Sequence, residues 1–126
     1  MSGQFILRVV SDFAAAHNLR EYPGDCQRLH GHNWKVEVEV AANELDDIGM
    51  VVDFKKIKQA TKEVTDRLDH CHLNELEPFN RINPTAENIA RTIFTELSTK
   101  VNGEQAHIEA VTVWETERAS ARYSET

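Results

Sequence analysis

Cysteine is scarce in this chain: Cys26 and Cys71 are the only two among 126 residues. That count excludes a disulfide framework and leaves reduced thiols in a cytoplasmic protein as the simplest expectation. Proline and glycine are also few, at three and five, and no repeat, low-complexity tract or linker breaks the chain. Cations are the minority charge, 14 Lys and Arg against 21 Asp and Glu, for a formal net charge of −7. Broad nucleic-acid binding, which relies on dense Lys and Arg facing phosphates, is therefore not expected. A small anionic substrate stays open, because a local cationic pocket can sit on an acidic protein. No apolar run approaches the roughly 20 residues that span a bilayer. The opening MSGQFILRVVSDF lacks the basic start, long apolar centre and cleavage site of a secretory leader. What remains is the balance of one globular domain over 1–126, with 40% hydrophobic residues, large enough to hold a core without staples.

Hydrophobic periodicity places the elements. Phe5, Leu7, Val9 and Phe13 share a parity, which predicts a strand over 4–14. Residues 18–31 hold Pro23, Gly24 and Asp25 and read as loop. In NWKVEVEV, 33–40, Trp34, Val36, Val38 and Val40 alternate with Lys35, Glu37 and Glu39, giving a strand with one buried face. Asp53 is a plausible N-cap for a helix carrying Phe54, Ile57, Ala60, Val64 and Leu68 at helical spacing. Asn83 or Thr85 caps a second helix with Ile89, Ile93, Phe94 and Leu97 on its apolar face. Alternation returns over 106–115, and a short last strand is expected over 119–123. The order ββααββ predicts an α+β fold with a four-stranded antiparallel sheet and both helices on one face. The exposed edges of so small a sheet favour an oligomer.

The stretch CQRLHGHNW, 26–34, concentrates chemistry. If the strand begins early, His30 and His32 share the inward parity of Trp34 and Val36. Side chains two apart on a strand stand roughly 6.5–7 Å from each other, a distance from which imidazoles can converge on one ion. Gly31 between them removes bulk and lets the backbone adapt. His17, at the end of FAAAH, joins them if the chain returns as a hairpin. Three neutral imidazoles with an open fourth position suit a catalytic metal, with zinc favoured over copper, iron or nickel. A dication would help the nearby Cys26 thiol lose its proton, making it a base or nucleophile. In RLDHCHLN, 67–74, Asp69 beside His70 makes a proton shuttle if the chain bends there, and a C-terminal helix cap if it does not. Glu115, with the parity of Val111 and Val113, either faces inward, where a heterocycle with adjacent N–H groups would satisfy it, or is a solvated strand-end charge. His72 and His107 read as ordinary polar residues.

Taken together, C-x3-H-G-H at 26–32, FAAAH upstream, DF at 53–54, LDHCHLN, NPTAEN at 83–88 and the late WET occur in one order. In that order the chain resembles the 6-pyruvoyltetrahydropterin synthase family over nearly its whole length. Within it the chain is similar to the bacterial branch that makes 6-carboxytetrahydropterin for queuosine biosynthesis. The resemblance implies a tunnelling fold, with subunit sheets joined around a barrel in a hexamer built as a dimer of trimers. It implies Zn2+ on His17, His30 and His32, a thiol base at Cys26, a proton-transferring pair at Asp69 and His70, and a pterin anchor at Glu115. Thr85 and Glu87 would lie near the pterin ring. The implied substrate is 7,8-dihydroneopterin triphosphate. The alternatives are elimination of triphosphate alone, to a pyruvoyl product, a non-catalytic pterin-binding module, and a zinc hydrolase.

Overall fold

The computed structural model describes residues 3–22, 24 and 27–125. Strand β1 is Phe5–His17 and β2 is His30–Ala42. They pair antiparallel along their whole length, with Val9 opposite Val38, Phe13 opposite Trp34 and His17 opposite His30. Both strands outrun the prediction, because the two ends rich in Ala and His contribute rungs although they carry little branched apolar bulk.

Helix α1, Phe54–Leu68, starts at Asp53, whose carboxylate accepts from the Lys55 N–H at 2.9 Å. Helix α2, Ala86–Val101, starts at Thr85, whose hydroxyl accepts from the Asn88 N–H at 3.1 Å. Of the two predicted caps, Thr85 takes the role. Strand β4, His107–Thr116, pairs with β2, and β5, Ala119–Tyr123, pairs with β4. The helices cover the sheet face bearing Val9, Phe13, Trp34, Val36, Val38, Val111 and Val113, all buried with Ile57, Leu68, Ile89, Ile93 and Leu97. Ile93→Ala is expected to cost about 2–5 kcal/mol, since it would open a cavity in a close-packed core; a denaturant titration measures it.

The expected four-stranded antiparallel sheet needs correction. The sheet has five strands in the order β3-β1-β2-β4-β5, and β3, the two residues Cys71–His72, runs parallel to β1. The cause lies at the end of α1. His70 takes a left-handed φ of 56°, which turns the chain back along β1. There the His70 N–H donates to the Ala14 carbonyl at 2.5 Å, and the Asp69 carboxylate accepts from the Ala14 N–H at 2.8 Å. A carboxylate thus stands in for one rung of a ladder before β3 begins.

Strand β4 departs from simple alternation in two places. Its register against β2 shifts between Glu39 and Val40, so Ile108 and Val111, of opposite parity, both turn inward. Its register against β5 shifts between Trp114 and Thr116, leaving Glu115 as the extra residue. Such bulges re-aim side chains at sheet ends. On the outer face, buried Glu39 is held by Arg122 at 3.0 and 3.2 Å.

Candidate metal centre and its surroundings

The β1–β2 register explains how distant histidines meet. His17 and His30 are cross-strand partners, and His32 follows on the same face of β2, above buried Trp34. The ring centroids of His17, His30 and His32 lie 4.6, 4.8 and 5.2 Å apart. The bulge in β4 turns Glu115 towards them. Among the described residues, one ligand atom from each of His17, His30, His32 and Glu115 falls within 4.8 Å of every other.

Hydrogen bonds set the ring tautomers. His17 Nδ1 donates to the Pro84 carbonyl at 2.7 Å, and His30 Nδ1 donates to the Arg28 carbonyl at 2.7 Å. A carbonyl only accepts, so each Nδ1 carries the proton and each Nε2 presents a bare lone pair. These two Nε2 atoms stand 3.1 Å apart. Two lone pairs at that distance repel unless a cation lies between them. Among the described residues His32 Nε2 is buried without a hydrogen-bond partner, although Glu115 Oε1 is 3.1 Å away, and the same oxygen is 3.4 Å from His17 Nε2. An orphaned nitrogen, two facing lone pairs and a carboxylate together fit a divalent ion, and the cluster could hold one.

Burial is the main cause that lowers His17 below its ordinary 6.5, outweighing the Pro84 carbonyl and Glu115, which raise it; neighbouring His30 and His32 lower it further. Burial likewise lowers His32, against Glu115 and with His30. Both rings therefore stay neutral at pH 7, as metal ligands must. The same shifts fix a sign for stability. Below about 6.5 the unfolded chain takes up protons on these rings that the folded chain resists, so metal-free stability is complete above that pH and is lost as pH falls through it. Denaturant midpoints of metal-free protein are expected to drop between pH 7.5 and 5.5, with a smaller drop in His17→Gln. A flat profile contradicts this.

The other predicted residues are placed as follows. Asp69 and His70 sit beside β1, with His70 Nδ1 2.9 Å from Asp69 Oδ2 and the His70 ring largely exposed. The bend that lets adjacent residues pair is the left-handed turn at His70. The Ala14 N–H, more than His70, holds the Asp69 carboxyl below its usual range. Among the described residues no hydrogen bond or ion pair links Asp69–His70 to the three histidines. Thr85 is spent on its cap, and Glu87 is exposed in the first turn of α2. Cys26 lies outside the described residues. The Cys71 thiol points at the Asp69 and Arg67 carbonyls, 3.2 and 3.5 Å away. Gly31 is not sterically required, because an added Cβ would meet only the Ala15 carbonyl at 3.9 Å.

Comparison with known proteins now decides the family. Residues 6–126 match the family described as 6-pyruvoyl tetrahydropterin synthase. The chain belongs to this family. A Synechocystis sp. protein named 6-carboxy-5,6,7,8-tetrahydropterin synthase is 38% identical over 119 residues, covering 88% of this chain and 86% of its own. A Haemophilus influenzae protein of the same name is 35% identical over 136 residues, covering 90% and 94%. Among solved structures, the Caenorhabditis elegans 6-pyruvoyl tetrahydropterin synthase superposes with a TM-score of 0.87 at 28% identity, over 99% of this chain and 98% of its own.

Beyond the family pattern, sequence reasoning missed the contacts that hold the centre. The Pro84 carbonyl that sets His17 comes from the loop before α2. Of the side chains holding that loop, Arg20 carries no sequence signal, and Asn83 signals only a candidate helix cap in NPTAEN.

Proposed function

We propose that this family member is a zinc-dependent carbon–carbon lyase that takes 7,8-dihydroneopterin triphosphate and water to 6-carboxy-5,6,7,8-tetrahydropterin, acetaldehyde and triphosphate, in the route to queuosine. The observation that carries the reading is the set of three imidazoles whose Nε2 atoms converge beside Glu115. Names of relatives at 35–38% identity point to the same product.

His17, His30 and His32 would hold the zinc, which when bound supplies a Lewis acid that acidifies the hydroxyls of the substrate side chain. Glu115 is assigned to the pterin ring, whose 2-aminopyrimidinone edge offers two N–H donors to one carboxylate. Its approach to His32 is what an anionic group does where a cation belongs, and its side chain, 36% exposed, stays reachable. Cys26, four residues before His30 in the sequence, is the proposed thiolate base. His70, oriented by Asp69, moves a proton on the other face of the reacting side chain. Thr85 and Glu87 border the ring at the start of α2.

We also propose an oligomer, a hexamer of paired trimers. Among the described residues, the outer edge of β1 is covered only from Ala14 to Ala16, and β5 pairs as a strand only with β4. Phe5, Ile6 and Val10 of β1 are 46–55% exposed. Edge-to-edge pairing would cover both the ladder and these side chains. Among the described residues no helix is long and apolar enough to cross a membrane, and a cytoplasmic setting fits the two cysteines.

Incubation with dihydroneopterin triphosphate, with and without a chelator, followed by mass analysis, tests the reaction. Loss of a two-carbon fragment as acetaldehyde, abolished by the chelator, is expected. A product that keeps the whole side chain would assign the pyruvoyl activity instead, and stoichiometric pterin binding without product would make the chain a binding module.

A further inference from the structure

The segment that leaves β1 is not in a sheet, yet its backbone is clamped at Asn18 and Arg20. Asn74 accepts from the Asn18 N–H at 3.0 Å and donates to the Asn18 carbonyl at 2.9 Å. Asn83 does the same for Arg20, at 2.9 and 3.0 Å. Two asparagine side chains therefore replace two rungs of a missing strand. The Arg20 guanidinium then reaches into the loop before α2. It donates to the carbonyls of Phe79 at 2.6 Å, Ile82 at 3.3 Å and Asn74 at 3.4 Å. Asn88 closes the far side by donating to the Asn83 carbonyl at 2.9 Å. Pro84 is caught between Asn83, so held, and Thr85, the cap of α2, and its carbonyl accepts a hydrogen bond from His17 Nδ1 at 2.7 Å.

We infer that Arg20 and Asn83 are positioning residues of the metal centre: they hold the Pro84 carbonyl against His17 Nδ1 and so keep Nε2 bare and aimed at the ion. The inference rests on the reading of the three histidines as metal ligands. A salt bridge would be expected of an arginine kept only for surface charge, but Arg20 spends its donors on one side-chain and three backbone oxygens between Asn74 and Asn83. A planar fork can span several carbonyls in this way, and an ammonium cannot. Supporting residues around a metal typically change affinity about 10–100-fold.

The test uses the full chain as Arg20→Lys, which keeps the charge and stem, and as Asn83→Ala. Arg81→Ala is the control, since Arg81 lies in the same loop but pairs with Glu77. Two readouts are taken: zinc affinity by competition with a chromophoric chelator, and the His17 tautomer in metal-free protein by long-range 15N–1H correlation at pH 7.5. Expected are affinities about 10–100-fold weaker in Arg20→Lys and Asn83→Ala and unchanged in Arg81→Ala. The His17 ring should be fixed as the Nδ1–H form in the wild type and mixed in those two variants. An unshifted tautomer with unchanged affinity in folded Arg20→Lys overturns the inference. Should the wild type bind no zinc, the functional reading falls, while the tautomer comparison still decides the role of Arg20.

Discussion

His30→Ala is expected to abolish stoichiometric metal binding while leaving the fold in place. His30 faces the His17 nitrogen at 3.1 Å and is half-buried at the start of β2. Its removal takes one of the three proposed imidazole ligands and leaves His17 and His32 with Glu115, a carboxylate assigned here to the pterin ring rather than to the metal. The loss of affinity should exceed the roughly 10–100-fold that removing a supporting residue costs. Metal-free stability should change little, because the ring lies outside the apolar core cluster and its Nδ1 hydrogen bond goes to the neighbouring Arg28 carbonyl. Elemental analysis after dialysis and a circular-dichroism melt measure both. A full complement of zinc in folded His30→Ala would remove this residue from the centre.

His70→Asn is expected to lower turnover about 10²–10⁴-fold, the usual range for a positioned acid or base, with zinc content and pterin binding kept. Asparagine is the chosen replacement because residue 70 has a φ of 56°, a region that asparagine tolerates and alanine resists. The backbone bond from residue 70 to Ala14 is then retained, and only the titrating ring is lost. Asp69→Asn should follow in the same direction, since it withdraws the charge that orients His70 Nδ1. Single-turnover kinetics beside a pterin-binding titration separate chemistry from binding. Wild-type turnover in His70→Asn would end the proposed role of the pair.

How much of this was legible in the residues depends on how local the cause is. The alternation of Trp34, Val36 and Val38 against charges marked β2, and the Asp53 cap marked α1, because each signal sits within a few residues. Parity carried His30 and His32 to the inner face, and the hairpin return brought His17 opposite His30. Parity also turned Glu115 inward, but its company there depends on a bulge, and nothing in VTVWETE announces one. The left-handed turn at His70 was equally silent, and with it β3 and the mixed sheet. Histidine has no strong preference for that backbone, and the turn is held by Ala14, 56 positions earlier in sequence. The Arg20 and Asn83 clamp is long-range in the same sense. Gly31 misled in the opposite direction: a glycine between two ligands suggested a need for space that the structure does not show.

Zinc K-edge absorption on protein loaded with one equivalent of zinc tests the centre most directly. The predicted spectrum has a light-atom shell at about 2.0–2.1 Å with the outer-shell scattering of three imidazoles, and it loses one imidazole in His17→Gln. A shell dominated by sulfur, or one without imidazole scattering, would contradict the account.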